Sequence, residues 1–113
     1  MIRVLLRTQQ DRLEIEVKGH QIKENAKDSL ACNSMSILTQ NLQESLIRLV
    51  SENHYSLEST NGLARVVRNE KLTSEEMKQR EELLVQSFLI GTSQVVKLHP
   101  SHLSVEVKSQ DFA

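Results

Sequence analysis

The spacing of apolar residues changes along this chain, and this change limits the fold more than any other feature of the sequence. Leu13, Ile15 and Val17 alternate with charged residues, as expected for a strand with one buried face. From Leu30 to about Val50, apolar residues recur every three or four positions, which is the spacing of an amphipathic helix. The chain therefore predicts strands followed by a helix that covers their apolar face.

Both spacings occur again elsewhere in the chain. Residues 2–8 also alternate, and together with 13–18 they predict an N-terminal hairpin. Residues 55–67 predict a second hairpin, because Asn61-Gly62 separates two strand-like runs and both residue types tolerate a positive φ at a tight turn.

A second helix is predicted after this hairpin. Thr73 and Glu76 have the spacing of a capping box, with Thr73 as N-cap, and Pro100 ends the apolar stripe that follows. Gly91 lies in the interior of this helix, where glycine is unfavourable, and we expect it to allow close packing against the first helix. Residues 103–107 alternate again and predict a last strand.

The predicted order is ββαββαβ, within one domain that spans residues 1–113. This order predicts an α+β fold in which two helices pack on one face of a mostly antiparallel sheet. Some apolar residues of the helices fall outside the two core stripes, which is typical of a surface that meets a second copy of the chain. These are Ile47, Val50, Leu83 and Leu89.

Composition argues against several classes of function. The net charge of −1 and the aromatic content of 3% do not suit a nucleic-acid-binding surface. The apolar runs are much shorter than the roughly 20 residues of a membrane-spanning helix, and Arg3 and Arg7 interrupt the only apolar run at the N-terminus. His99 and His102 lack the accompanying ligands of a metal site. We expect a cytoplasmic protein that binds neither membrane nor nucleic acid.

The candidate site combines Cys32, the only cysteine, with His20, twelve residues earlier. If the first helix starts near Leu30, with Asp28 or Ser29 as N-cap, its free N–H groups favour a thiolate at Cys32 and can bind an oxyanion. A histidine has the proton affinity of a general base at neutral pH. A lone cysteine of this kind is, however, more often a small buried apolar residue, and a lone loop histidine is more often solvated.

Gly19-His20, the polar loop that follows, Cys32, and Ser36 four residues later resemble the ribosomal-processing cysteine protease family, also known as Prp. The resemblance covers nearly the whole chain. It implies a homodimeric cysteine endopeptidase that needs no metal or cofactor and removes the N-terminal extension of a large-subunit ribosomal protein. It also implies that Cys32 is the nucleophile and His20 the general base, with Gly19, Ser29 and Ser36 in supporting positions.

The sequence departs from the family pattern in and near the loop. Gln21 replaces the usual alanine, Lys27 a glycine and Ser29 an aspartate, with Asp28 as the nearest acid. Two alternatives therefore remain beside the peptidase. One is a weak or inactive family member that acts as a ribosome-associated binding module. The other is a small dimerisation domain whose cysteine has no chemical role.

Overall fold

The computed structural model of the protein describes residues 2–9, 11–19, 26–60, 62–101 and 103–108, and for 26–29 and 103–108 it describes the backbone only. The elements follow one another in the predicted order. They are β1 (Ile2–Gln9), β2 (Arg12–Lys18), α1 (Ala26–Leu49), β3 (Ser56–Thr60), β4 (Leu63–Arg68), α2 (Glu75–Leu98) and β5 (Leu103–Lys108).

The strands form one sheet in the order β3-β4-β2-β1-β5. Both predicted hairpins are present, since β1 pairs with β2 and β3 with β4, and β2 also pairs antiparallel with β4. Only β5 runs parallel to its described neighbour, β1. The predicted α+β fold with a mostly antiparallel sheet is confirmed.

One face of the sheet forms the core. Leu6, Ile15 and Val66 lie opposite one another across β1, β2 and β4, and all three are buried. Met35 and Leu46 of α1 belong to the same apolar cluster, as does Phe88 of α2. Both helices therefore pack on this face, as the alternation of the strands predicts.

The opposite face of the sheet carries ion pairs. Glu14 lies between Arg7, which donates to one of its oxygens, and Arg65, whose guanidinium is 3.7 Å from the other. Arg65 also lies 3.1 Å from Glu58 on β3. Because these charges extend over four neighbouring strands, the helices have only one apolar face to cover.

The two helices are antiparallel and meet closely at Gly91. A Cβ atom on Gly91 would lie 2.7 Å from the Leu38 side chain of α1, so the predicted close packing at this glycine is confirmed. Near the other end of the pair, the Arg80 guanidinium donates to the Leu49 carbonyl at 3.1 Å.

Two predicted helix starts are wrong. α1 begins at Ala26 and not near Leu30, because Ala26 and Lys27 are good helix formers and continue the helix towards the N-terminus. In α2 the N-cap is Ser74, whose hydroxyl accepts from the Met77 N–H at 3.1 Å. With Ser74 as N-cap, the third helical position is Met77 and not Glu76, so the predicted capping box is absent.

The apolar residues predicted to lie outside the core mostly lie against it. Val50 and Leu89 pack on the core cluster, and Ile47 is half-buried. Leu83 alone among the four is exposed, at 71%. Three further exposed apolar side chains lie with Leu83 on the outer sides of the helices, and we call these four residues the outer apolar stripe: Leu30 and Ile37 on α1, with Leu83 and Ile90 on α2.

Candidate active site

A cavity of about 370 Å³ lies between α1 and the end of the sheet where β3 and β4 are joined. Cys32 and Ser36 line it from α1, one helical turn apart. Gly19, just past the end of β2, lines it as well. Three of the five residues predicted for the site therefore contribute to one cavity.

Gly19 is fixed at the cavity by a contact with Gly62. The Gly19 N–H donates to the Gly62 carbonyl at 2.9 Å, which extends the pairing of β2 with β4 by one step. Gly62 has a φ of +79°, and a Cβ atom there would lie 2.7 Å from the Gly19 carbonyl oxygen. The chain therefore leaves β2 at the cavity wall, directly before His20. His20 itself lies outside the described residues, so its role as base stays a prediction.

Ser29 belongs to α1, one helical turn before Cys32. Its side chain is outside the described part of the chain, as is that of Asp28. The N-cap role predicted for either residue is wrong, because both lie inside the helix.

The early start of α1 also changes the environment predicted for Cys32. Only the N–H groups at the start of a helix, within its first turn, lack an intrahelical acceptor, and α1 begins at Ala26. Cys32 is the seventh residue of α1, in its second turn, where its N–H has a carbonyl one turn earlier as acceptor. The prediction that Cys32 lies among free N–H groups in the first turn is wrong.

The polar lining of the cavity around Cys32 is not among the predicted site residues. Thr39 and Gln40 of α1 and Ser59 and Thr60 of β3 line the cavity. The Thr39 hydroxyl donates to the Met35 carbonyl at 2.6 Å and so holds its place within the helix. The sequence does contain a signal, because polar residues recur at helical spacing beside the apolar stripe.

Gln43 connects α1 to the β3–β4 hairpin beyond the cavity. Its side chain is buried, and its amide donates to the carbonyls of Glu58 at 3.4 Å and Arg65 at 3.3 Å. The helix that carries Cys32 is thereby held at a fixed distance from the hairpin that forms the opposite wall. The cavity is an open groove between two anchored elements.

Within the described ranges, no three His, Cys, Asp or Glu side chains lie close enough to hold a metal ion. Neither helix described here has the length and apolar character needed to cross a bilayer.

No protein-family model and no curated protein matches the sequence. Solved structures do match over nearly the whole chain. SMU.848 from Streptococcus mutans is 20% identical, with a TM-score of 0.70 and coverage of 97% of this chain and 96% of its own. The ribosomal processing protease Prp from S. aureus, in complex with a substrate peptide, is 12% identical, with a TM-score of 0.75 and coverage of 96% and 100%.

The likeness is one of fold. A hypothetical protein from Staphylococcus aureus shows it too, at 12% identity and a TM-score of 0.64, with coverage of 96% of this chain and 100% of that one. Prp has also been solved with a covalently linked product peptide, in a structure that matches this chain with a TM-score of 0.70.

Proposed function

We propose that this chain is a cysteine endopeptidase that removes the N-terminal extension of a large-subunit ribosomal protein. The observation that supports this most is the position of Cys32, which lines an open cavity together with Gly19 and Ser36. The likeness of fold to Prp over 96% of the chain adds to it. The proposed substrate rests on that likeness, and the proposed cytoplasmic location rests on the sequence.

In the first half of the reaction, His20 takes the proton of the Cys32 thiol, and the sulfur attacks the carbonyl carbon of the scissile peptide bond. A C–S bond forms and the carbonyl becomes an oxyanion. When the C–N bond breaks, the imidazolium of His20 gives its proton to the leaving amine. The amine is the new N-terminus of the mature ribosomal protein.

In the second half, water hydrolyses the thioester on Cys32. His20 takes a proton from the water, the hydroxide adds to the carbonyl, and the C–S bond breaks to release the extension as a carboxylic acid. The sulfur regains its proton from His20, so the enzyme returns to its starting state without a metal or cofactor.

The supporting residues have roles that follow from their positions on the cavity wall. Ser36 lies one turn after Cys32 and presents a hydroxyl donor to the bound peptide. Gly19 has no side chain, so a peptide backbone can approach the chain just before His20. Ser29 precedes Cys32 by one turn, at the position where the Prp family has an aspartate.

The proposal includes a homodimer through the outer apolar stripe. Ile37 is 68% exposed and Ile90 61%, on antiparallel helices that contact each other at Gly91. Exposed apolar side chains that lie on the outer sides of two neighbouring helices are typical of an interface. A twofold dimer buries the same stripe on both copies.

Incubation of the protein with the unprocessed ribosomal protein of its own organism, followed by sizing of the products, tests the proposal. We expect one cut by the wild type, none by Cys32→Ala, and a rate lower by about 10² to 10⁴ for His20→Ala. Asn33→Ala is the matched control, because Asn33 is an exposed neighbour of Cys32 that is not part of the cavity wall. Cleavage that survives in Cys32→Ala contradicts the nucleophile. Binding without cleavage by the wild type favours the binding module instead.

A further inference from the structure

The outer edge of β3 is open. Among the described strands, β3 has a neighbour on one side only, namely β4. All five residues of β3 are exposed, so no other described element covers this edge. An open strand edge offers unpaired N–H and C=O groups to any extended chain that comes beside it.

The register of the hairpin shows which main-chain groups are available. Thr60 and Leu63 flank a two-residue connection and are opposite each other, so they form the hydrogen-bonded closing pair. Hydrogen-bonded pairs then alternate along an antiparallel ladder, which makes Glu58–Arg65 the next such pair. The N–H and C=O groups of Leu57 and Ser59 therefore point away from β4, towards the open edge.

The Gln43 contacts support this assignment. One side-chain amide reaches the carbonyls of both Glu58 and Arg65, at 3.4 and 3.3 Å. Two carbonyls of opposite residues come this close only when both lie between the strands, as in a hydrogen-bonded pair. If the pair were not hydrogen-bonded, the carbonyls would point in opposite directions.

The open edge leads into the cavity. Ser59 lines the cavity that Cys32 lines from the opposite wall. Leu57 and Ser59 pair with Val66 and Ala64, so their side chains lie on the helix side of the sheet, where the cavity is. Nothing in the sequence of β3 blocks pairing: it has no proline or lysine, and its one charge, Glu58, is paired with Arg65 at 3.1 Å.

We propose that the substrate binds as an added strand on the outer edge of β3, through main-chain hydrogen bonds to Leu57 and Ser59. This inference rests on the proposed function and names how that site recognises its substrate. An added strand places alternate side chains of the peptide in the groove between β3 and α1, and brings its backbone to Cys32. The substrate class is thus an extended peptide segment without proline at the paired positions.

A proline at Ser59 tests the edge directly. Ser59→Pro removes the outward N–H and puts the proline ring in its place, but it leaves the ladder to β4 intact. Ser59→Ala is the matched control, because it removes the hydroxyl and keeps the N–H. Both are made in a Cys32→Ala background, so that binding of a labelled peptide spanning the cleavage junction is measured by fluorescence anisotropy without turnover. We expect Ser59→Pro to bind the peptide about tenfold or more weakly than Ser59→Ala, because only the proline variant lacks the outward N–H.

Methylation of the peptide nitrogens tests the same contact without altering the protein. Each backbone nitrogen of the peptide is methylated in turn, and binding is measured again. An added strand predicts that binding is lost at every second nitrogen of the paired segment, since only alternate N–H groups face β3. This scan remains decisive even if Ser59→Pro does not fold.

The outcomes distinguish a failure of the added-strand proposal from a failure of the peptidase proposal. Weaker binding by a folded Ser59→Pro together with alternating sensitivity supports the added strand, whether or not the wild type cuts the peptide. Cleavage by the wild type with no alternation, or undiminished binding by folded Ser59→Pro, overturns the added strand and leaves the peptidase proposal standing. A change in the sedimentation coefficient of Ser59→Pro, with unchanged peptide binding, also overturns it, because the edge is then a contact between copies of the chain.

Discussion

Tyr55 has its phenol beside a buried ion pair. Arg68 and Glu81 face each other at 3.0 Å, with side chains only 7% and 8% exposed. The buried Tyr55 oxygen lies next to them and interacts with both side chains. Burial raises the pKa of Tyr55, and the Glu81 carboxylate raises it further. The phenol is therefore kept neutral in the folded protein.

This pKa shift predicts a pH dependence of stability. In the unfolded chain the phenol ionises at about pH 10, whereas the folded protein resists ionisation, so the free energy of unfolding falls as the pH rises above that value. Tyr55→Phe removes this loss, because phenylalanine has no group that ionises.

Urea unfolding of both proteins between neutral pH and the highest pH that the wild type tolerates provides the measurement. The difference between the two curves isolates Tyr55 from the lysines, which titrate in both proteins. Parallel curves above about pH 10 contradict the raised pKa.

At Cys32, the sequence predicts which residues share the site but not where in the helix they lie. The spacing of Cys32 and Ser36 puts them on one flank of a helix, and both line the cavity. The start of that helix depends on a small difference in free energy between the polar segment as loop and as helix, and on packing that a sequence pattern does not contain. The prediction that Cys32 lies in the first turn is wrong for this reason.

At the scale of elements, two glycines serve different purposes. Gly62 turns the β3–β4 hairpin with a positive φ and lies against the Gly19 backbone, which cannot move aside without breaking a strand pairing. Gly91 lies in α2 against the tip of the Leu38 side chain, which can rotate. The backbone therefore requires glycine at position 62, whereas at position 91 the neighbouring side chain can move to accept a Cβ atom.

Alanine at each glycine should therefore have a different effect. We expect Gly62→Ala to lower the free energy of unfolding by about 1–3 kcal/mol, through the strained φ and the contact with the Gly19 carbonyl. Gly91→Ala should stay within about 1 kcal/mol of the wild type, because higher helix propensity offsets the displacement of Leu38. Urea denaturation of the two variants tests this. Equal losses would show that the two positions are constrained in the same way.

The elements themselves are predictable here because their signals are local. Alternation in β2 and the Asn61-Gly62 dipeptide are enough to place two hairpins, and Pro100 ends α2 at the right place. The ends of the apolar stripes are less predictable. Leu98 follows the helical spacing but, as the last residue of α2, is 76% exposed. A periodic pattern does not show where burial stops along a helix.

At the scale of the whole molecule, the surfaces have distinct characters. The open sheet face carries ion pairs around Glu14, the α1–β3 side holds the cavity, and the outer side of the helices exposes the apolar stripe. The stripe and the cavity lie on different sides of α1. A dimer through the helices therefore leaves both cavities open to substrate.

A charge in the outer apolar stripe should separate the subunits. We expect Ile90→Glu to convert a dimer of the wild type into a monomer, because a carboxylate would be buried without a partner in the interface. Thr73→Glu adds the same charge at an exposed position outside the stripe and should leave the dimer intact. Sedimentation velocity at micromolar concentration distinguishes them. A wild type that is monomeric at that concentration contradicts the dimer.

In the proposed mechanism Cys32 forms a covalent bond to the substrate, and the mass of the protein shows whether it does. The protein is mixed with a peptide that spans the cleavage junction, quenched in acid within the first turnover and analysed by mass spectrometry with peptide mapping. The thioester mechanism predicts a mass increase equal to the acyl part of the N-terminal product, located on Cys32 and absent from Cys32→Ala. Cleavage of the peptide with the adduct on another residue, or by Cys32→Ala itself, would contradict the claim.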